Sequence, residues 1–352
     1  MDRPLVAVVL AGGTGTRLYP ASRGHRPKQF RSFDGGQSLL AATVDRAGVA
    51  DEVYVLTRPE FAERVREHAP RAAVLTEPEP KDTGPALVYA AHRVREQVGE
   101  AVTVTMPSDH RIDGDFAGTA RTAAEVAERT GGLVTVGVEP TRPATGYGYI
   151  EPGARREVGR RETAERASGE ERPASRDGYH TVASFTEKPD PDTAEEYVEA
   201  GYYWNAGVFA WTPDAFLGEA RESSLGPLVE AMDDGDPDRG FAAVDPVSVD
   251  YAVLERTDKA YVVPADFDWD DLGSWDAVER LVDADDAGNV VLGDALLSDA
   301  ADNVVATDGH VSLVGVSDLV IASYGDRTLV IPKERAQEVR EVVARLREAD
   351  RY

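Results

Sequence analysis

A glycine-rich run near the start of the chain has residue types suited to binding phosphate. Residues 4–10 form a continuous apolar run typical of a buried strand. Directly after it come Leu10-Ala11-Gly12-Gly13-Thr14-Gly15-Thr16-Arg17. Glycines in this place let backbone amides approach a triphosphate closely, and Arg17 adds a planar cationic group for phosphate oxygens. The sequence therefore predicts a nucleotide-phosphate site at residues 10–17.

The spacing of these glycines narrows the class of nucleotide site. It differs from the G-x-G-x-x-G pattern of dinucleotide-binding folds, and no Gly-Lys-Ser/Thr follows as in a P-loop. A dehydrogenase or an ATPase is therefore disfavoured. A lone glycine motif also occurs in ordinary turns, so a purely structural turn remains an alternative at this point.

A second candidate site follows another apolar run, residues 101–106, with the sequence Pro107-Ser108-Asp109-His110. Strands of a parallel sheet bind ligands beyond their carboxyl ends, so we expect residues 11–17 and 107–110 to converge. A carboxylate in that place suits Mg²⁺, which takes oxygen ligands and shares phosphate oxygens and water. Asp109 is the first candidate metal ligand, the alternative being a helix cap or a loop acid.

The elements that position these residues alternate between strand and helix. Apolar runs predict strands at 4–10, 52–57, 72–76 and 101–106, and amphipathic patterns predict helices at 38–48, 59–68, 84–98 and 116–129. This alternation implies a parallel sheet covered on both faces. Strands return at 181–186 and 204–211, and an Arg-, Glu- and Gly-rich stretch at about 154–178 predicts an exposed insertion.

The pattern of apolar segments and turn residues changes after residue 284. Residues 290–331 consist of short valine-rich segments separated by Gly, Asp and Asn, with no room for crossover helices, and a charged helix is expected at 334–348. We therefore divide the chain into an α/β domain, residues 1–284, and a small β domain, residues 285–352.

Composition excludes several classes of protein. The chain has 38 Lys and Arg against 64 Asp and Glu, a net charge of −26, which argues against nucleic acid as a partner. It has no cysteine and only six histidines, so a metal here must be held by oxygen. Apolar stretches fall short of the roughly 20 residues that span a bilayer, so we expect a cytoplasmic protein without a membrane partner. The acidic, lysine-poor composition favours a salt-rich cytoplasm, with an ordinary acidic enzyme as the alternative.

The run from Leu10 to Arg17, continued by Pro20, Ser22-Arg23 and Pro27-Lys28-Gln29-Phe30, resembles the opening motif of the nucleoside-diphosphate-sugar pyrophosphorylases. Its Lys-Gln-Phe ending is similar to the mannose-1-phosphate guanylyltransferase branch. The resemblance implies a Rossmann-like α/β domain with a mixed, mostly parallel sheet, followed by a small left-handed β-helix-like domain that often helps such enzymes to form a homodimer. It also implies that Lys28 contacts the phosphates and stabilises the charge that develops on transfer.

The resemblance extends to a segment that lies against the nucleotide base. Residues 77–86 are similar to it, although Lys81-Asp82-Thr83-Gly84-Pro85 stands where the family has Arg-Asn-Thr-Ala-Pro. Thr83, Gly84 and Pro107 are therefore added to the expected nucleotide-binding residues.

On the sugar side, residues 145–150 resemble the family's sugar-binding turn, which includes Gly148. By the same resemblance Glu187 binds sugar hydroxyls, Lys188 binds the sugar phosphate, and Asn205 makes further hydroxyl contacts. Residues 248–255 are also similar to a family segment, in which Asp250 is either a ligand or a helix start. Asp271, in Trp-Asp-Asp-Leu-Gly-Ser-Trp at 269–275, matches the family's second metal ligand.

Together these motifs imply Mg²⁺-dependent transfer of GMP from GTP to mannose 1-phosphate, giving GDP-mannose and pyrophosphate. The catalytic residues implied are Arg17, Lys28, Asp109 and Asp271, with Asp109 and Asp271 as metal ligands. Two alternatives remain: another substrate pair, such as glucose 1-phosphate with UTP or dTTP, and a regulatory subunit that binds nucleotide sugar without turnover. The presence of all four charged residues argues against the regulatory subunit.

Overall fold

A computed structural model of the chain describes residues 1–13, 15–24, 26–33, 36–158, 178–280, 282–349 and 351–352. Thr14 and most of the expected insertion lie outside these residues. The chain forms two compact units: the first contains Met1–Leu10, Val44–Pro107 and Ile112–Trp269, and the second contains Ala11–Thr43, Ser108–Arg111 and Asp270–Tyr352. Each unit is thus assembled from segments that are distant in the sequence.

Each helix and strand predicted from the sequence has a counterpart in the structure, which also contains elements that were not predicted. The first part of the chain forms β1 (Leu5–Leu10), α1 (Leu39–Arg46), β2 (Glu52–Thr57), α2 (Ala62–His68), β3 (Ala73–Thr76), α3 (Thr83–Gln97), β4 (Val102–Pro107), β5 (His110–Gly114), α4 (Phe116–Thr130) and β6 (Leu133–Val138). The middle part forms β7 (Gly148–Glu157), β8 (Gly178–Glu187), α5 (Pro191–Glu199), β9 (Tyr203–Trp211), α6 (Pro213–Arg221), α7 (Gly226–Asp233), α8 (Pro237–Ala242), β10 (Ala260–Pro264), β11 (Phe267–Asp271) and α9 (Trp275–Glu279). The last part forms β12 (Val290–Ser298), β13 (Val304–Val314), β14 (Leu319–Tyr324), β15 (Arg327–Pro332) and α10 (Val339–Glu348).

Two of the predicted boundaries are wrong. The expected insertion begins too early, because residues 154–157 belong to β7 and pair with β8, as in Arg155↔His180 and Glu157↔Gly178. The polar side chains there face solvent, which hid the strand pattern. The expected C-terminal helix is divided into a 3₁₀ segment, Lys333–Glu338, and α10.

The first unit contains a nine-stranded sheet in the order β3-β2-β1-β4-β9-β6-β10-β8-β7. Its first four strands are parallel, with Leu10 level with Leu56 and Pro107, and Leu56 level with Leu75. The carboxyl ends of β1 to β4 therefore lie along one edge, as predicted. β9 runs antiparallel to both β4 and β6, which makes the sheet mixed.

The core of the first unit lies between this sheet and the helices that cover it. The apolar face of α3 is buried there, with Leu87 and Val94 at most 1% exposed. On the same side Trp211 stacks on Phe216, with ring centroids 4.3 Å apart. Burial of these large apolar side chains explains why the amphipathic patterns of the sequence predicted the helices correctly.

The second unit contains a sheet in the order β12-β13-β14-β15, whose first three strands are parallel. Short loops join these strands without helices, as the sequence predicts. Buried asparagines connect the loops: Asn303 Nδ2 donates to Asn289 Oδ1 at 3.0 Å, and Leu319 N donates to Asn303 Oδ1 at 3.1 Å. Their polar groups are thus paired inside the coil, as buried polar groups must be.

The C-terminal strands share a hydrophobic core with the segment that follows the glycine loop. Leu18 packs with Trp275, Val304 and Val339, and Trp275 Nε1 donates to the carbonyl of Tyr19 at 3.1 Å. Residues on both sides of the boundary that was drawn from the sequence, between residues 284 and 285, therefore pack in one core. Among the described residues, no helix is long and apolar enough to cross a membrane.

Candidate active site

Arg17, Lys28, Asp109 and Asp271 meet in the second unit and are called here the phosphate-side cluster. The ammonium of Lys28 contacts the carboxylate of Asp109 and lies 3.8 Å from Asp271 Oδ1. The Arg17 guanidinium lies 3.5 Å from Asp271 Oδ2. The side chains of Lys28, Asp109 and Asp271 are only 8%, 21% and 18% exposed. Interactions between charges are strengthened where water is largely excluded.

Short elements bring these four side chains together. Asp109 immediately precedes β5 and Asp271 ends β11, and these two strands pair in a two-stranded sheet. Arg17 lies in a 3₁₀ turn, Thr16–Leu18, and Lys28 begins another, Lys28–Phe30. The tertiary structure therefore collects residues that are up to 254 positions apart, from Arg17 to Asp271.

Gly15 and Gly273 lack the Cβ atom that would overlap with side chains of the cluster. Gly15 has φ +62°, and a Cβ on it would lie 2.8 Å from Lys28 Cγ. A Cβ on Gly273 would lie 2.6 Å from an Arg17 guanidinium nitrogen and 2.8 Å from Asp271 Oδ1. The sequence analysis did not include Gly273, although it lies in the same motif as Asp271. Larger residues at either position would displace the charged groups.

The two adjacent aspartates at the end of β11 have different partners. Asp270 receives two hydrogen bonds from Arg280, at 2.6 and 2.9 Å. Successive side chains of a strand point to opposite faces, so Asp271 is directed to Lys28 and Arg17 instead. Asp271 is therefore the residue of this pair that belongs to the cluster.

The carboxylates of the cluster suit a hard divalent cation. Burial by itself would raise the pKa of Asp109, but Lys28 and His110, with a smaller contribution from Arg17, hold that pKa below its usual range. Asp109 is thus ionised at neutral pH. Within the described part of the chain, no three His, Asp or Glu side chains form a metal-binding group. Mg²⁺ commonly uses one or two carboxylates with water and phosphate oxygens, so the donor set of Asp109 and Asp271 fits it.

The glycine loop is supported by a buried side chain that the sequence analysis had not assigned to the site. Gln29 Nε2 donates to the carbonyls of Ala11 and Gly13, at 2.9 and 3.1 Å. These bonds fix the loop that continues from Leu10, the last residue of β1. Of the other predicted loop residues, Gly12 is half-buried and Thr16 begins the 3₁₀ turn. The motif signalled Gln29, but only the packing shows its contacts.

Thr83 and Gly84 form the start of α3 and contact residues 247–249. Thr83 Oγ1 accepts a hydrogen bond from Val249 N at 3.0 Å, and Gly84 N donates to the carbonyl of Val247 at 2.9 Å. A Cβ on Gly84 would lie 2.6 Å from that carbonyl oxygen. Both residues therefore hold the segment before Asp250 in place, and their contact with nucleotide stays a prediction.

Gly148, Glu187, Lys188, Asn205 and Asp250 lie in the first unit and are called here the sugar-side cluster. Gly148 on β7 is level with Glu187 on β8, and a Cβ on Gly148 would lie 2.5 Å from Glu187 Oε2. Lys188 Nζ bonds to Glu187 Oε1. The Glu187 side chain is 9% exposed, whereas that of Lys188 is 53% exposed. The ammonium of Lys188 can therefore reach a ligand from solvent.

Hydrogen bonds fix the orientation of the Asn205 side chain. Its Oδ1 accepts from Thr135 Oγ1 at 2.9 Å and from Gly207 N at 3.0 Å, and its Nδ2 donates to Asp250 Oδ1 at 3.0 Å. An amide nitrogen carries two hydrogens, so one N–H remains for a ligand.

Asp250 is both the start of a helical turn and a member of this cluster. It begins a π-helical turn, Asp250–Leu254. Burial, with a further contribution from Glu187, raises the pKa of Asp250 to about 7. The helix start is thus observed, whereas the ligand role of Asp250 stays a prediction.

Aromatic side chains next to this cluster were not assigned to the site from the sequence. Tyr147 contacts Trp204 and Trp269 edge-on, with ring centroids 5.1 and 4.9 Å apart. Arg142 lies over Trp204 at 5.1 Å from the ring centroid. Small-molecule sites combine such aromatic surfaces with a few polar groups. In the sequence, Tyr147 and Trp204 directly precede Gly148 and Asn205, and this could have assigned them to the site.

Two family models together match almost the whole chain. Residues 6–287 match the family model described as Nucleotidyl transferase, and residues 288–346 match the MannoseP isomerase/GMP-like beta-helix domain. The xanthan biosynthesis protein XanB of Xanthomonas campestris pv. campestris (strain B100) is 35% identical, over 99% of this chain and 74% of that protein. A mannose-1-phosphate guanylyltransferase of Klebsiella pneumoniae is 34% identical, over 99% and 75%.

Among solved structures, a Thermus thermophilus protein described as a mannose-1-phosphate geranyltransferase has a TM-score of 0.85 and 35% identity. The match covers 98% of this chain and 99% of that one. The α/β fold with a β-helix-like C-terminal domain, expected from the sequence, is thereby confirmed.

Proposed function

This chain belongs to the nucleotidyl transferase family, in its mannose-1-phosphate guanylyltransferase branch, and we propose that it transfers GMP from GTP to α-D-mannose 1-phosphate, giving GDP-mannose and pyrophosphate. The observation that carries the proposal is the contact of Lys28 with Asp109 and Asp271, with Arg17 on the same carboxylate. Such a cluster combines fixed cations for phosphate oxygens with carboxylates for a divalent cation.

In the proposed reaction, an oxygen of the sugar phosphate attacks the α-phosphorus of GTP in line. The bond from that phosphorus to the oxygen that bridges to the β-phosphate breaks, and pyrophosphate leaves with the electron pair. Arg17 and Lys28 neutralise the negative charge that grows on the leaving group. No side chain has to remove a proton, because a sugar phosphate is already largely ionised at neutral pH.

Asp109 and Asp271 would hold Mg²⁺ in this reaction. A bound Mg²⁺ supplies positive charge to the α-phosphate oxygens. Asp109 is suited to this role because its pKa lies below the usual range, so the carboxylate does not have to lose a proton first. Gly273 keeps the space around the Asp271 carboxylate clear.

The sugar-side cluster would hold mannose 1-phosphate. Glu187 accepts hydrogen bonds from hydroxyls, and Asn205 offers the N–H that remains after its internal bonds. Lys188, whose side chain is 53% exposed, would bind the phosphate and hold the nucleophile in place. The aromatic surface of Tyr147 and Trp204 is suited to the apolar face of the sugar ring.

We also propose that the chain forms a homodimer and acts in the cytoplasm. Leu296 on β12 and Val314 on β13 are exposed apolar side chains on one face of the C-terminal sheet, a surface that a second copy of the chain would cover in a homodimer. Light scattering at micromolar concentration would show twice the mass of one chain, and the mass of a single chain would contradict the proposal. Use of GTP fits action in the cytoplasm.

The decisive test is pyrophosphate release by the purified protein in high salt with Mg²⁺. GTP, ATP, UTP and dTTP would each be combined with mannose 1-phosphate and glucose 1-phosphate, and with EDTA as a control for the metal. Release that requires GTP, mannose 1-phosphate and Mg²⁺ is the expected result. Release with another pair would change the substrates, and a folded protein that releases none would support a regulatory subunit.

A further inference from the structure

The C-terminal helix α10 brings a second guanidinium to the side of Arg17. Val339 and Val343 of this helix are buried in the same hydrophobic core as Leu18, which ends the 3₁₀ turn that contains Arg17. The residue after Val339 is Arg340, which is exposed. Partial burial lowers the pKa of the Arg340 guanidinium, and the positive charge of Arg17 lowers it further. The two arginines therefore lie near each other within the second unit.

The start of α10 is also connected to the segment that contains the second aspartate of the phosphate-side cluster. Gln337 lies in the 3₁₀ segment that leads into α10, and its Nε2 donates to Asp276 Oδ2 at 2.7 Å. Asp276 belongs to α9, which begins at Trp275 in the same motif as Asp271. Packing and hydrogen bonding thus fix the position of Arg340 on the Arg17 side of the cluster.

Arg340 has no acidic partner among the described residues. Only partial burial and Arg17 act on its charge. Side chains three or four positions apart are neighbours on a helix. At these positions from Arg340 the chain has Ala336, Gln337, Val343 and Ala344. Arg335, in contrast, pairs with Glu338 at 2.6 Å. Although the chain has 64 acidic residues, none in its described part offsets the charge of Arg340.

This arrangement is unfavourable for the protein without a ligand. Arg17 and Arg340 repel each other, because like charges raise the energy of one another. Arg340 also lies in the first turn of α10, where the helix dipole favours anions over cations. A ligand with several negative charges would convert both effects into favourable contacts, since guanidinium groups bind phosphate oxygens with two parallel hydrogen bonds.

We propose that Arg340 binds the β- and γ-phosphates of the nucleotide together with Arg17, so that the C-terminal helix supplies part of the active site. This inference rests on the proposed function, in which Arg17 neutralises the charge on the leaving pyrophosphate. A guanidinium beside Arg17 would meet the same two phosphate groups. It would stay in contact with them as the bond to the α-phosphorus breaks.

Arg340→Met tests the inference, because methionine keeps an unbranched apolar side chain and removes the charge. We expect kcat/KM for GTP to fall by on the order of 10-fold, the effect of one hydrogen bond to a charged group, with KM for mannose 1-phosphate unchanged. In the reverse reaction, from GDP-mannose and pyrophosphate, KM for pyrophosphate should rise by a similar factor. Arg340→Lys should recover part of the loss, because lysine keeps the charge without the two parallel hydrogen bonds.

Arg345→Met is the matched control. Arg345 is an exposed arginine of the same helix and has Glu341 four residues before it and Glu348 three residues after it. This variant changes the net charge of the protein by the same amount, so it accounts for long-range electrostatic effects. It should leave the kinetics with GTP and pyrophosphate unchanged. Thermal melting would show that each variant is folded, and Arg340→Gln would make the same comparison should Arg340→Met fail to fold.

Calorimetric binding of GTP and GMP makes the comparison without catalysis. Arg340→Met should weaken binding of GTP by on the order of 10-fold and leave that of GMP unchanged, because GMP lacks the β- and γ-phosphates. This difference in a protein that releases no pyrophosphate would overturn the proposed reaction and keep the role of Arg340.

Three results would overturn the inference about Arg340. The first is a GTP affinity of Arg340→Met equal to that of Arg345→Met. The second is an equal loss of affinity for GTP and GMP, which would show a structural effect. The third is equal affinity of the unaltered protein for the two nucleotides.

Discussion

Replacement of Gly273 by alanine tests whether the contact between Arg17 and Asp271 matters for catalysis. The new methyl group would lie 2.6 Å from an Arg17 guanidinium nitrogen and 2.9 Å from Asp271 Oδ2, both too close for ordinary contact. Gly273 does not have a positive φ, so the backbone accepts alanine. The side chain of Arg17 must therefore move while the fold is retained.

The expected effect follows from the loss of one charged contact with phosphate. Such a contact contributes about 1.5–3 kcal/mol. At 1.36 kcal/mol per factor of ten, kcat/KM for GTP should fall by about 10- to 100-fold. Steady-state pyrophosphate release with saturating mannose 1-phosphate would measure this fall, and circular dichroism would show that the variant is folded.

Gly218→Ala is the matched control, because Gly218 lies in α6 and a Cβ on it meets nothing within 4 Å. It should keep full activity and gain about 0.5–1 kcal/mol of stability, as glycine is costly within a helix. If Gly273→Ala is as active as Gly218→Ala, the proposed role of Arg17 on the leaving pyrophosphate is incorrect.

Asp271→Asn should lower kcat by roughly 100-fold or more. Asp270→Asn weakens the contact with Arg280, so it should lower the melting temperature and keep turnover. Equal kcat values for the two variants would remove Asp271 from the site. Gly148→Ala should raise KM for mannose 1-phosphate by on the order of 10-fold through the clash with Glu187 and leave KM for GTP unchanged, so a parallel rise in both would argue against a sugar-specific role. Burial raises the pKa of Glu77 from 4.5 in the unfolded chain to about 7 in the folded protein. Between these two pH values the folded protein keeps a proton that the unfolded chain loses, so the free energy of unfolding falls as pH rises from 4.5 to about 7. In Glu77→Gln this fall in the free energy of unfolding should be smaller by up to about 3 kcal/mol. Urea unfolding at pH 5 and pH 8 would measure it, and the same pH dependence in the variant and the unaltered protein would contradict the assigned pKa. The chain has a net charge of −26, so its melting temperature should rise between about 0.1 M and 2 M salt, because the Debye length shortens from about 10 Å to below 3 Å. A melting temperature that does not change with salt would contradict salt adaptation.

Patterns that are local in the chain were predictable from the sequence. The glycines after β1 and the amphipathic α3 indicated a strand followed by a phosphate loop and a covered parallel sheet, because strand and helix periodicity depends on neighbouring residues. The motifs also singled out Lys28 and Asp109, which the structure brings into contact. The alternation of short segments after residue 284 indicated strands without crossover helices for the same reason.

Features that depend on packing between distant segments were decided only by the tertiary structure. The resemblance pointed to Asp271, but only the positions of Arg280 and Lys28 show how its surroundings differ from those of Asp270. It did not reveal that Gly273 makes room for Arg17, or that the C-terminal strands share a core with the segment after the glycine loop. Local patterns determine which elements form, whereas burial and the pairing of charges are set by residues that meet only when the chain is folded.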